Sequence, residues 1–350
     1  MTSRLVGLAL LIAGALSAPF FVYPVLLMKV LCFAIFACAF NLLFGFGGLL
    51  SFGHGAFLGS AAYITGHVVK IWGFTPELGL LTGTAAAAAL GLAFAVVATR
   101  RQGIYFAMIT FGLAQMIYFA ALQLPFTGGE DGLQTVPRRA LFGIIDLSSN
   151  LSMYYFVLVV FLFVLCAIWR IVHSPFGQVL HAIRDNEQRT ISLGYRVQHY
   201  KILLFVLSAA FAGLAGGLKC LVVGIATLTD VYWHASGEVV LMTMLGGVGT
   251  MLGPVVGAAL VVGIQNYFAE LGAWVTMIQG AIFVVVVMVF RRGIVGELIP
   301  LLNGRLDKMR RRTASRVPLP AAGADPVRPA DTAFPAVAAA SSMKAADGTP

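Results

Sequence analysis

The chain has 350 residues, of which 59% are hydrophobic and only 11% charged, with a mean hydropathy of +0.92 and a formal net charge of +9. Soluble domains carry about a quarter charged residues, so this composition excludes a soluble globular enzyme and implies an all-α polytopic membrane protein. The basic residues lie between and after apolar runs, where they report orientation, and a nucleic-acid partner is set aside on that ground.

Apolar windows predict spans near residues 5–23, 25–45, 53–71, 77–99, 103–124, 152–172, 201–226, 251–268 and 273–290. At the N-terminus, Arg4 precedes an apolar run and Ser17-Ala18 resembles a cleavage end. The apolar sequence resumes after Pro19, which favours a retained first helix over a removed signal peptide. The next feature, Asn41 to Tyr63 (NLLFGFGGLLSFGHGAFLGSAAY), is hydrophobic enough for a membrane yet carries Gly45, Gly47, Gly48, Gly53, Gly55 and Gly59 together with Asn41, Ser51 and His54. Glycine disfavours helix and polar groups in hydrocarbon need partners, so this segment should line protein or a water path.

The loop over 125–151 is expected outside although it holds Arg138 and Arg139, because Glu130, Asp131 and Asp146 accompany them. The loop 173–200 carries Arg184, Arg189 and Arg196, and the tail carries Arg291, Arg292, Arg305, Lys308 and Arg310 to Arg312; both are expected to be cytoplasmic. Two cytoplasmic flanks require an even number of crossings between Tyr200 and Arg291. Gly237 to Gly249 (GEVVLMTMLGGVG) therefore reads as a broken or half-length crossing, giving about ten spans with both termini cytoplasmic. Residues 1–300 would form the membrane domain, and residues 301–350, rich in Ala and Pro, a disordered cytoplasmic tail.

The motifs of catalysis are missing. There is no Gly-Lys dipeptide for a phosphate-binding loop, no HExxH and no GxSxG. Ser51 and His54 could share a helix face, but a structural pair among glycines is the simpler reading of them. Cys32, Cys38, Cys166 and Cys220 all fall in apolar runs and read as small core residues without disulfide or metal-binding spacing. Within the loop 173–200, Val179, Leu180 and Ile183 are at helical spacing and a charged group follows, which predicts a short amphipathic helix projecting from the membrane.

Four blocks then make the chain similar to a known family: Gly45 to Tyr63; TGGEDGL from Thr127 to Leu133; SPFGQVLHAIRDNEQRTISLGY from Ser174 to Tyr195; and GEVVLMTMLGGVGTMLGPVVGAAL from Gly237 to Leu260. In this order, from about Leu27 to Arg292, they resemble the permease subunits of ABC importers for branched-chain amino acids, of the LivM type. The resemblance implies an inner-membrane permease working with a sister permease, two cytoplasmic ATPases and an extracytoplasmic binding protein. It implies no cofactor on this chain, with ATP and Mg used by the ATPase partners. It also implies that the loop 173–200 holds a coupling helix from Gly177 to Gly194, with Arg184, Asp185, Glu187 and Arg189 as polar contacts and Leu180 and Ile183 as apolar anchors. His181 stands where such permeases often have a basic residue, and Lys219 where a small or aromatic residue is more usual; Lys219 is expected near the outer end, where it can snorkel.

On this reading the substrate path would be lined by Asn41, Gly47, Gly48, Ser51, Gly53, His54, Thr110, Gln115 and Thr243. Related permeases carry urea and short amides, which stands as the alternative substrate class. A self-contained secondary transporter or channel would need mid-membrane charges, and the sequence offers Glu238 alone, near the end of its broken segment. A membrane enzyme lacks its central residues.

Overall fold

The computed structural model describes residues 17–20, 22–141, 143, 146–272, 274–289 and 293–297. The expected first span over 5–23 lies largely outside the described residues, and the expected tail lies wholly outside them. Among the described residues the fold is helical, with a single isolated antiparallel bridge between Leu133 and Ala226.

Prolines and polar caps place the helix starts. Pro24 opens α1 (Pro24–Asn41), Pro76 opens α3 (Pro76–Ala98) and Pro175 opens the first helix of the loop 173–200, each where a missing N–H costs nothing. Between the first two lies α2 (His54–Lys70), and α4 (Ile104–Gln123) follows α3. Ser149 caps α5 (Asn150–Val172) by accepting from the Ser152 N–H at 3.2 Å. The loop 173–200 contains α6 (Pro175–Asp185) and α7 (Glu187–Ser192), after which α8 (Val197–Val223) ends at Gly224, whose φ of 78° is left-handed. A single turn, Leu228–Val231, precedes α9 (Trp233–Gly246), α10 (Gly253–Tyr267) and α11 (Trp274–Val289).

Among the described residues, five helical segments are long and apolar enough to cross a membrane: Pro24–Phe46, Pro76–Ala98, Ile104–Gln123, Asn150–Val172 and Val197–Val223. By contrast α9 has 14 residues and α10 has 15, so each rises only about 21–23 Å against a hydrocarbon core of about 30 Å. The half-length reading of Gly237 to Gly249 thus corresponds to a real short helix that begins four residues earlier, at Trp233, and stops at Gly246.

The densest packing joins α2, α3 and α8. Glycines at these crossings allow backbones to touch: a Cβ at Gly216 would collide with the Leu58 carbonyl, one at Gly213 with Ala87, and one at Gly83 with Thr65 and Ala61. α1 threads between this trio and the short helices, packing on α5, α8 and α10.

The loop after α4 is fastened to one end of the bundle. Arg138 donates to the Val222 carbonyl at 2.5 Å and to Asn150 at 2.8 Å, and Arg139 donates to the Gly73 carbonyl at 2.8 Å. The two arginines that break the charge bias are used locally, one of them at the carbonyl end of α8. Gly128, Gly129 and Gly132 all have positive φ, which is the physical content of the TGGEDGL block. Three cysteines are buried, but Cys166 is exposed on α5 and corrects the expectation that all four belong to the core.

Candidate functional site

α1 does not stop at Asn41. It continues as a π-helical turn, Leu42–Phe46, and the chain then runs through a loop to the start of α2. Such turns widen the helix and recur at functional positions. Asn41 accepts from the Gly249 N–H at 2.9 Å and donates to the Thr250 carbonyl at 2.9 Å, so its amide ties α1 to the loop between α9 and α10. A Cβ at Gly45 would strike both the Asn41 amide and the Gly249 nitrogen, which explains the glycine.

Ser51 and His54 of the glycine-rich block also bond within the fold. Ser51 accepts from the Gly53 N–H at 3.1 Å, Thr110 accepts from the Phe52 N–H at 3.2 Å, and Ser236 accepts from the Gly55 N–H at 2.8 Å, so these amides leading into the first turn of α2 are satisfied inside the protein. His54 Nε2 lies 2.9 Å from Ser208 Oγ, and the Ser208 hydroxyl donates to the Ala39 carbonyl at 2.6 Å. Since a hydroxyl has one proton, Nε2 must be the donor in that pair. Ser51 is therefore not the partner of His54. Thr243 donates to the Val239 carbonyl at 2.8 Å. Asn41, Ser51, His54, Thr110 and Thr243 are all buried, Gln115 is half-buried, and close neighbours constrain Gly47 (Leu204) and Gly53 (Phe94). Of the path residues read from sequence, Asn41, Ser51, His54, Thr110 and Thr243 are thus placed in packed interior, whereas Gly48 is exposed and Gln115 only half-buried.

At one end of the bundle hang α6 and α7. The single helix expected across Gly177 to Gly194 is two helices, because Asn186 leaves helical geometry (φ −158°, ψ 101°) and its side chain accepts from the Arg189 N–H at 3.0 Å. Gly177 sits against the Val172 carbonyl, and Gly194, at φ 88°, makes the turn into α8. Leu180 and Ile183, expected as anchors for a partner, are buried within this chain and seat α6 on its own bundle. Arg184 donates to the Gly45 carbonyl in the π turn, and Glu187 accepts from Lys201 of α8 at 2.5 Å. Of the expected contacts, Arg184, Asp185 and Arg189 are exposed, Arg184 while bonded to Gly45, and they are joined by Gln188 and His181. A cleft of about 490 Å³ is lined by Phe176, Val179, Tyr195 and Tyr200, of which the hydrophobic spacing singled out Val179 alone.

A second cavity, of about 440 Å³, lies toward the opposite end, where α8 ends and the loop after α4 is fastened. Lys219 is roughly 27 Å along α8 from Lys201, at 1.5 Å per residue. Four charged side chains line it: Lys29 of α1, Lys219 of α8, Asp230 of the single turn and Glu238 of α9. Lys219 is paired with Asp230 and stands 5.1 Å from the Phe33 ring centroid, so the expectation that it snorkels is replaced by an internal ion pair. Glu238 accepts from Gln265 of α10 at 2.9 Å and lies 3.6 Å from His234. These residues are scattered over the sequence and only the fold assembles them.

Comparison with known proteins agrees with this architecture. The family described as branched-chain amino acid transport system, permease component, matches residues 24–287. The chain is 27% identical over 299 residues to the high-affinity branched-chain amino acid transport system permease protein LivM of Escherichia coli, covering 77% of this chain and 69% of that protein, and is equally similar to LivM of Salmonella typhimurium. A shorter stretch of 118 residues is 30% identical to the autoinducer 2 import system permease protein LsrC of Photorhabdus laumondii, covering 32% of this chain and 35% of that protein. No solved structure matches the chain.

Proposed function

The chain belongs to the family of branched-chain amino acid transport system permease components, and from that premise we propose that it is one membrane half of an ATP-driven importer for branched-chain amino acids. Its partners would be a sister permease, two cytoplasmic ATPase subunits and an extracytoplasmic binding protein. ATP and Mg would be used by the ATPases, with no cofactor on this chain. It would reside in the inner membrane with both termini cytoplasmic, residues 1–300 forming the permease and 301–350 the tail.

The observation that supports this best is the pair α6 and α7. It is seated on the bundle by Leu180 and Ile183, wired to it by Arg184 and Lys201, and leaves Asp185, Gln188 and Arg189 outward. A purely structural loop has no need of a charged outer face combined with two inward polar links. An element fixed in this way transmits a push from a docked ATPase into the π turn of α1, and from there through Asn41 to the loop between α9 and α10.

A photo-crosslinker placed at the exposed Gln188 should capture an ATPase subunit in inside-out vesicles. Capture of no ATPase, or labelling of that position from outside intact cells, would reject the docking surface and its orientation together.

A further inference from the structure

The charged cavity does something the packing of the fold does not require. Ionised groups within a membrane protein are expensive, and they persist where they pair or meet a ligand. Lys219 and Asp230 satisfy each other. Lys29 is different: it lines the same cavity, and no described side chain pairs with it. Glu238 is held in place through one oxygen by Gln265, which leaves its other oxygen for a further donor.

The geometry assigns this cavity as a reception site for the zwitterionic head of an α-amino acid, with Lys29 taking the carboxylate and Glu238 the ammonium. The Lys219–Asp230 pair is then a fixed polar wall, and Leu26, Phe33 and Val262 supply apolar surface for an aliphatic side chain. The volume of about 440 Å³ falls in the range of small-molecule sites and admits one amino acid with water. Urea and short amides carry no net charge and meet the two ions only through hydrogen bonds, without the ion pairing open to a zwitterion, so the site favours the amino-acid class over that alternative. The inference rests on the importer reading above, and adds to it a substrate-selective site in the permease itself, where the sequence indicated neutral groups only.

The test is equilibrium binding of radiolabelled leucine to the purified permease–ATPase complex without binding protein, with competition by leucinamide, which lacks the carboxylate, and 4-methylpentanoate, which lacks the ammonium. The wild-type complex should prefer leucine over both by more than about tenfold, one charge-assisted contact being worth at least that factor. Lys29→Met should weaken leucine binding and abolish the preference over leucinamide, while Lys29→Arg restores it. Glu238→Gln keeps an oxygen for Gln265 and should abolish the preference over 4-methylpentanoate alone. A merely misfolded variant would lose all ligands together and would not separate the two analogues. Unchanged preferences in both variants, or no leucine binding by the wild-type complex in any nucleotide state, overturns the site. If the wild-type complex still imports leucine, the importer reading stands without it; failure of the wild type to import overturns that reading instead.

Discussion

Replacing Arg184 with glutamate is expected to leave the permease in the membrane while lowering substrate-stimulated ATP hydrolysis and uptake by about 100-fold or more. The guanidinium donates to the Gly45 carbonyl, a Cβ on Gly48 would lie 3.2 Å from its Cγ, and one on Gly249 would lie 3.5 Å from its Nη1. Three segments therefore converge on one side chain: α6, the π turn of α1 and the loop between α9 and α10. A glutamate there faces the Gly45 carbonyl with a second acceptor, and a wrong charge at such a contact costs more than a missing one. The buried Leu180 and Ile183 still hold α6 in place, so assembly should persist. Arg184→Lys keeps the charge but loses the planar fork, and should fall between the two. ATPase assays on purified complex, with and without loaded binding protein, read the effect; wild-type stimulation in the glutamate variant would remove Arg184 from the coupling route.

A large loss of stability is expected from Gly216→Ala. At that crossing a Cβ would enter the space of the Leu58 carbonyl, which belongs to the α2 backbone and cannot rotate away. The helices must separate, with an expected loss of about 3 kcal/mol or more, at the upper end of overpacking costs. Gly112→Ala is the matched control. It meets nothing within 4 Å, so relief of glycine's poor helix propensity should leave the protein unchanged or more stable by up to about 1 kcal/mol. Thermal unfolding of the two variants in detergent separates a packing glycine from a permissive one; equal midpoints would contradict the packing of α2 on α8.

The comparison of these glycines shows where sequence suffices. Apolar runs and prolines locate the helices well because hydropathy and the missing proline N–H act locally, so Pro24, Pro76 and Pro175 mark true starts. The TGGEDGL block is legible for the same reason, since positive φ is a property of single residues. Partners are not local. Asn41, Ser51 and His54 are visible as polar groups in an apolar segment, but whether they face a path or bond to Thr250, Gly53 and Ser208 is decided by residues up to 209 positions away. The apolar spacing of Leu180 and Ile183 defines a helix face without saying whether the bundle or a partner covers it. The charged cavity is the extreme case, for Lys29, Lys219, Asp230 and Glu238 sit near helix ends where each reads as an interfacial charge, and only the fold gathers them.

The measurement that tests the central claim most directly is ATP-dependent uptake by the complete complex in proteoliposomes, with its own binding protein inserted as the variable. Leucine, isoleucine or valine should accumulate when the ATPase subunits and the binding protein are both present, and this chain alone should move none of them. Accumulation of urea with all three amino acids ignored would keep the permease architecture and refute its substrate, whereas transport by the isolated chain without ATP would contradict the importer itself.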